Sequence, residues 1–176
     1  GAAAGYMLGN PWLAFIIGGL AGGLFALVHA LATVTFNADH TISGVAINLL
    51  APGVALFASK IMFDGATMTP TIPMEQKIPR PLNGLFPSGS ILDTIFNAYA
   101  TVFIAFILVA VTWYVLYKTK FGLRIRAVGE HPGAADTLGI SVAKTRYAAV
   151  IISGILAGLG GASMSLAVVS SFRPTL

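Results

Sequence analysis

Four long apolar runs dominate the pattern of hydrophobic and polar positions along the chain. They are Trp12–Phe36, Thr41–Phe63, Ile95–Tyr117 and Tyr147–Val169. The first, third and fourth contain no Asp, Glu, Lys or Arg. Apolar runs of this length are typical of helices that cross a hydrocarbon core about 30 Å thick. The pattern therefore predicts an all-α fold, a polytopic transmembrane helical bundle, in a single membrane domain over residues 1–176.

The polar segments between these runs differ in composition. Asn37–His40 is a short break, Asp64–Thr94 holds five of the nine prolines, and Lys118–Arg146 carries six of the ten Lys and Arg residues. Because cytoplasmic loops of membrane proteins are enriched in Lys and Arg, we expect Lys118–Arg146 to be cytoplasmic. Because the chain changes sides of the membrane at each span, the Pro-rich loop and both ends of the chain are then expected outside, and Asn37–His40 inside.

Composition agrees with a membrane protein. Hydrophobic residues make up 56% of the 176 positions, charged residues only 9%, and the mean hydropathy is +0.85. A soluble domain has about 25% charged residues. The net charge of +4 is concentrated in one loop, so we interpret it as a topology signal and not as a nucleic-acid binding surface. The chain begins without Met and without a basic segment before an apolar stretch, so we expect no signal peptide and further residues before Gly1 and after Leu176.

Motifs for catalysis and nucleotide binding are missing from the sequence. There is no cysteine, no GxxxxGK[ST], HExxH or GxSxG pattern, and no pair of carboxylates within one apolar run. The sequence therefore predicts no catalytic residues, no metal site and no cofactor.

Polar and helix-breaking residues inside two of the runs are candidates for a solute pathway. Pro52-Gly53 lies in the middle of the second run and predicts a break in that helix. The Asn48 carboxamide needs hydrogen-bond partners in hydrocarbon, so it either caps carbonyls freed near Pro52 or faces a polar path together with Ser43. In the first run, His29 is either part of this path or a neutral imidazole bonded to a neighbouring helix.

Small residues recur at helical spacing in the first and fourth runs. Gly18 and Gly22 form one GxxxG pair, and Gly154 and Gly158 form another. Such pairs let helix backbones approach closely in a membrane. The pattern is compatible with packing inside this chain and with an interface between subunits.

A short helix is predicted within the basic loop. Pro132 suits the first position of a helix that follows Glu130, residues 133–138 continue it, and Gly139 is a natural left-handed terminator. A helix this short is not stable alone. It either lies against its own membrane domain or fits a groove on a partner.

The segment that holds this helix resembles a known family. The stretch from Phe121 to Ile140, FGLRIRAVGEHPGAADTLGI, is similar to the coupling-helix loop of bacterial ABC-importer permeases that move branched-chain amino acids, simple sugars and nucleosides. The stretch from Asp39 to Gly53, DHTISGVAINLLAPG, looks most like the nucleoside-type permeases. Relatives often carry Asn at the position of His131, and Asn is the better helix cap.

The resemblance implies the roles of several residues. Those expected to couple to an ATPase are Gly129, Glu130, His131, Pro132, Ala134, Ala135 and Gly139. Of these, Ala134 and Ala135 are expected close to the surface of the ATPase. The polar and helix-breaking residues of the second run, and not the resemblance, give those expected along the solute path, which are Ser43, Asn48, Pro52 and Gly53. The implied partners are an ATP-binding cassette subunit, a second permease subunit, an extracytoplasmic solute-binding protein and the lipid bilayer of the bacterial inner membrane.

Other functions fit parts of the pattern. Within the same family, the solute could be a branched-chain amino acid or a simple sugar. A passive channel or ion-coupled transporter would use a helix break at Pro52-Gly53 equally well, although no carboxylate lies at depth to carry protons. A membrane scaffold is compatible with the glycine pairs.

Overall fold

The computed structural model describes residues 2–63, 65, 78 and 99–169, and these residues form helices and no strands. The all-α prediction is confirmed. The helices are α1 (Ala2–Leu8), α2 (Pro11–Ala30), α3 (His40–Met62), α4 (Ala100–Lys118), α5 (Lys120–Glu130), α6 (Pro132–Thr137) and α7 (Val142–Ser163). Wider, π-helical turns extend α2 over Leu31–Thr35 and α7 over Met164–Val169.

Four helices of the described part are long and apolar enough to cross a membrane. They cover Pro11–Thr35, His40–Met62, Ala100–Lys118 and Val142–Ala167, close to the four apolar runs. The predicted external loop, Asp64–Thr94, lies outside the described residues except for Gly65 and Ile78.

The helix starts follow from local capping. Pro11 occupies the first position of α2, and Asn10 Oδ1 accepts hydrogen bonds from the backbone N–H groups of Trp12 and Leu13 at 3.0 and 3.4 Å. These bonds satisfy donors that the first turn of a helix leaves free. The turn between α2 and α3 includes Asn37 at φ 51°, a left-handed conformation that Asn tolerates better than most residues.

The two GxxxG pairs build the central helix contact of the fold. A Cβ atom added to Gly22 would meet the Gly158 Cα at 2.7 Å, and one added to Gly158 would meet the Gly18 carbonyl oxygen at 2.5 Å. On Gly154, it would meet the Gly22 carbonyl oxygen at 2.8 Å. We call this contact the glycine seam. It joins α2 to α7 within one chain, which is the first of the two arrangements that the spacing allows.

The buried core lies at one end of this seam. Ala14 and Phe15 of α2 pack with Ala162 and Leu166 of the last helix and with Ile78. By contrast, α3 buries only Ser59 and α4 buries no residue. The first and last described spans therefore form the fixed centre, and the two middle spans present most of their surface outward.

The predicted break at Pro52-Gly53 is wrong. Helix α3 is continuous from His40 to Met62, with Pro52 inside it. Proline removes one backbone donor. In hydrocarbon no water can bond to the other backbone groups, so these groups keep their helical hydrogen bonds and the helix continues past Pro52.

The basic loop is more helical than the sequence pattern predicted. Only α6 was expected there, yet α5 precedes it, and α7 already begins at Val142, before the first residue of the predicted run, Tyr147. The signal for α5 was present: Ile125 and Val128 are one turn apart on the side that packs, whereas Lys120 and Arg124 are exposed.

Candidate functional site

A cleft of about 350 Å³ lies between α2, α3 and α7. Its larger side chains are Phe25, His29, Ile47 and Val150. The rest of its wall consists of small residues, which are Gly22, Ala26, Gly44, Ser153, Gly154, Ala157 and Gly158. Since the glycine seam brings α2 and α7 together, it also forms the floor of this cleft.

His29 is the polar centre of the cleft. Its Nδ1 lies 2.9 Å from the Ser43 hydroxyl of α3, and its backbone carbonyl accepts a bond of 2.8 Å from the Thr33 hydroxyl. The His40 ring stands 6.3 Å from the His29 ring, centre to centre. His29 is therefore bonded to a neighbouring helix, as one interpretation of the sequence expected, and at the same time lines a cleft.

The π-helical turn Leu31–Thr35 follows His29 directly. Wide turns of this kind are frequent at functional sites. The turn ends at Thr35, whose hydroxyl bonds to the Tyr147 hydroxyl at the start of α7. The end of α2 is thus tied to α7 below the cleft.

Asp39 fixes the start of α3, on which Ser43 lies. Its Oδ1 accepts hydrogen bonds from the Thr41 and Ile42 N–H groups at 2.8 and 3.0 Å. The bond from Ile42, then that from Thr41, holds the pKa of the Asp39 carboxyl below its ordinary value of 3.8, because both bonds favour the charged form.

We expect the Asp39→Asn variant to lose part of the pH dependence of stability. A carboxyl whose pKa is lowered by folding stabilises the protein fully above its ordinary pKa, and this contribution disappears as the pH falls through the folded-state value. The melting temperature of the parent should therefore exceed that of the variant by a constant amount above the ordinary carboxyl pKa and by less below it. A difference that stays constant through acid pH would contradict this role.

None of the pathway candidates on α3 lines this cleft, although Ser43 bonds to His29 at its edge. Asn48 and Pro52 are one turn apart on the same face of α3, and both are exposed, as is Gly53. A Cβ on Gly53 would meet nothing within 4 Å. The structure thus separates Ser43, which bonds to His29, from the other three candidates, which lie on the outward side of α3.

The predicted coupling helix is α6, and it is capped at its C-terminal end. Gly139 has φ 78°, the left-handed conformation expected for it. Its N–H donates to the Asp136 carbonyl at 2.9 Å, and the Ile140 N–H donates to the Ala135 carbonyl at 3.1 Å. This pair of bonds is the Schellman motif that ends many helices. At the other end, Pro132 occupies the first position, and the exposed His131 makes no side-chain cap.

The two faces of α6 differ in exposure. Ala135 is 2% exposed, so it packs against the rest of the chain and contributes almost nothing to the free surface of α6. Its expected place close to a partner's surface stays a prediction. Ala134 is exposed, and Leu138, which sequence analysis missed, is 78% exposed. Of the remaining candidates for coupling, Gly129 and Glu130 are also exposed, at the end of α5.

A groove of about 440 Å³ separates α6 from the start of α7. Pro132, Gly133 and Asp136 of α6 line one side, and Ser141 and Arg146 are among the residues on the other. Val34, near the end of α2, also lines it. The short helix therefore lies at the same end of the bundle as the turn between α2 and α3. The side of the membrane on which both lie stays a prediction.

No group of three or more His, Cys, Asp or Glu side chains that could hold a metal occurs in the described ranges. The candidate site consists of a cleft between α2, α3 and α7 that has no Asp, Glu, Lys or Arg in its lining, and of a short helix at one end of the bundle.

Known proteins similar to this chain include nucleoside permeases. The guanosine ABC transporter permease protein NupQ of Bacillus subtilis is 48% identical over 154 residues, which are 86% of this chain and 47% of NupQ. The nucleoside ABC transporter permease protein NupC of Lactococcus lactis is 39% identical over 93% of this chain and 51% of NupC. No solved structure matches the chain significantly.

A more distant relative carries a different solute in its name. The galactose/methyl galactoside import permease protein MglC of Haemophilus influenzae is 26% identical over 80% of this chain and 39% of MglC. The chain spans about half the length of NupQ and NupC.

The family model described as "Branched-chain amino acid transport system / permease component" matches residues 1–174. This match covers all seven helices described above. Members of such a family are multi-pass membrane transport components and not catalytic enzymes. The chain belongs to this family of permeases.

Proposed function

We propose that this chain is part of the membrane subunit of an ATP-driven importer whose solute is a nucleoside. The observation that carries the solute assignment is the similarity to NupQ and NupC along most of the chain. The full subunit is expected to pair with a second permease subunit, an ATP-binding cassette subunit and an extracytoplasmic solute-binding protein. MglC, the relative named for galactoside import, is less similar.

The chemistry of the cleft supports an uncharged solute with an aromatic part. None of the residues that line it is Asp, Glu, Lys or Arg. Phe25 and His29 lie one turn apart on α2 and both reach the cleft, so a nucleobase can stack on one ring and hydrogen-bond to the other. The Ser153 hydroxyl across the cleft is suited to a ribose hydroxyl. A volume of about 350 Å³ is within the range of small-molecule sites.

The placement of α6 supports ATP-driven transport. A helix of this length needs surroundings that hold it, and Ala135 and the Schellman motif supply them from within the chain. Its outer edge, with Ala134 and Leu138, remains available for a partner. We propose that this edge receives the closing motion of the ATPase subunits, which then moves α7 and the cleft beside it.

The exposed face of α3 supports the pairing of subunits. The Asn48 carboxamide is exposed on a helix that crosses the membrane, and an unpaired carboxamide in hydrocarbon is costly. We propose that this face meets a second permease subunit or the water-filled path between the two subunits. If this face borders the path between the two subunits, Asn48 and Pro52 line a part of the solute path outside the cleft.

We expect the complete importer to take up guanosine and not leucine or glucose. The test reconstitutes the full-length permease with its ATPase and solute-binding protein and measures the uptake of each labelled solute. If leucine or glucose is transported and guanosine is not, the nucleoside assignment is wrong. If all three fail although ATP hydrolysis is stimulated by another solute, only the choice of solute is wrong.

We expect His29→Ala and Ser153→Ala to reduce guanosine uptake by about threefold to tenfold, the effect of losing one hydrogen bond. The matched control is Thr112→Ala, which removes a hydroxyl from a separate, mainly apolar cavity of about 360 Å³ between α2, α4 and α7. Guanosine uptake by this control should stay near that of the parent. Equal losses in all three variants would place the solute path elsewhere.

A further inference from the structure

The junction between α4 and α5 is a fixed corner. Thr119 is extended, with φ −116° and ψ 156°, and its hydroxyl donates to the Val115 carbonyl at 2.6 Å and accepts from the Gly122 N–H at 3.2 Å. Gly122 lies so close to Leu116 that a Cβ would meet the Leu116 carbonyl oxygen at 2.5 Å. The direction in which α5 leaves the membrane-spanning helix is therefore set by contacts within the chain.

Helix α5 lies with one side against the protein. Val128 is 3% exposed and Ile125 is half-buried. Both line a cavity that also includes residues of α7. Since this side is occupied, the remaining sides of α5 are the ones that meet the surroundings.

Four cations are exposed at this corner, which we call the basic corner: Lys118, Lys120, Arg124 and Arg126. They lie within nine consecutive positions, and the same stretch carries no acidic residue. Such a cluster directly beside the cytoplasmic end of a transmembrane helix is typical of segments that contact anionic lipids.

Two of these cations lie over aromatic rings at the end of α4. The Lys118 Nζ is 5.8 Å from the centre of the Trp113 ring, and the Arg126 Cζ is 5.0 Å from that of Tyr117. Both rings are more than half exposed. Exposed Trp and Tyr at the end of a transmembrane helix mark the level of the lipid headgroups, so the rings hold the cations at that level.

We propose that the basic corner binds the headgroups of anionic phospholipids in the cytoplasmic leaflet. The phosphate groups would accept hydrogen bonds from Arg124 and Arg126, whose guanidinium groups suit phosphate geometry, and Lys120 would add charge. A lipid fits better than a soluble protein because the cations share their surface with the membrane-level aromatic rings. The corner gives the permease a selectivity for lipids that is independent of its choice of solute.

The test measures the preference of the full-length permease for phosphatidylglycerol over phosphatidylcholine in mixed bilayers. Lipids brominated in their acyl chains quench tryptophan fluorescence on contact. The difference in quenching between the parent and the Trp113→Phe variant gives the signal of Trp113 at the corner. The parent should prefer phosphatidylglycerol, and Lys120→Gln with Arg124→Gln should reduce this preference by about fivefold for each cation removed. Salt on the order of 1 M should have a similar effect, because it screens exposed charges.

The matched control is Lys144→Gln with Arg146→Gln, which removes the same charge from the same loop but from the start of α7. The conservative pair Lys120→Arg with Arg124→Lys should keep the preference, which separates lost charge from lost folding. Equal effects of the two Gln pairs, or competition by excess inorganic phosphate, would overturn the proposal. The proposal would also be overturned if Lys120→Gln with Arg124→Gln released the ATPase subunit and left the lipid preference unchanged. The corner would then be a protein interface.

Discussion

Replacing Gly158 with alanine is expected to lower the free energy of unfolding by about 1–3 kcal/mol, the usual cost of forcing extra atoms into a packed interior. The new methyl group would lie 2.5 Å from the Gly18 carbonyl oxygen and 2.9 Å from the Gly22 Cα. Both are backbone atoms of the facing helix and cannot rotate away, so α2 and α7 must separate. Thermal or detergent-induced unfolding of the purified full-length permease measures the change.

The matched control lies two positions away on the same helix. A Cβ on Gly160 would meet nothing within 4 Å, and alanine favours a helix over glycine by up to about 1 kcal/mol. Gly160→Ala should therefore leave stability unchanged or raise it. If the two variants unfold alike, the glycine seam does not hold the fold together.

The second large effect concerns two neighbouring alanines of α6. We expect Ala134→Trp to leave abundance and melting temperature near those of the parent while solute-stimulated ATP hydrolysis is lost, because Ala134 is exposed on the proposed coupling edge. Ala135→Trp should lower both stability and coupling, because Ala135 is 2% exposed and no space exists for an indole ring. Measuring melting temperature and stimulated hydrolysis in the complete complex separates the two.

Leu138→Ser tests the same edge without adding bulk. Its side chain is 78% exposed, and a leucine buried by a partner can contribute more than 1 kcal/mol to binding. Association with the ATPase subunit should weaken by about fivefold or more. The control is Leu123→Ser on α5, where the leucine is 59% exposed. If Ala134→Trp and Leu138→Ser both couple normally, α6 is not the coupling element, and a passive transporter becomes the better explanation.

The sequence predicts this fold well wherever one local property decides the structure. Long apolar runs with few or no charges mark the membrane-spanning helices because hydrocarbon disfavours charges and requires every backbone group to be bonded. Gly139 marks the end of α6 because few other residues adopt positive φ at low cost. The GxxxG pairs mark close helix contacts, although the spacing alone does not distinguish a contact inside the chain from one between subunits.

The candidate site was less predictable, since it depends on which face of a helix meets which neighbour. Ala134 and Ala135 are equivalent in the sequence, and only the docking of α6 makes one buried and the other exposed. The bond between His29 and Ser43 joins two helices, and no pattern along either helix specifies it. The helix break predicted at Pro52 does not occur, because proline breaks helices in water more readily than in lipid.

The glycine seam also sets the order in which the protein can acquire its structure. It joins the first described span to the last, and the hydroxyl pair beside it, Thr35 and Tyr147, is 112 positions apart. At typical rates of synthesis, α2 therefore waits on the order of 10 s before α7 leaves the ribosome. During this time its glycine face has only lipid or the insertion machinery to contact. The final packing must then be a late, post-insertion step, and a chain halted before α7 would present this unpaired face to membrane quality control.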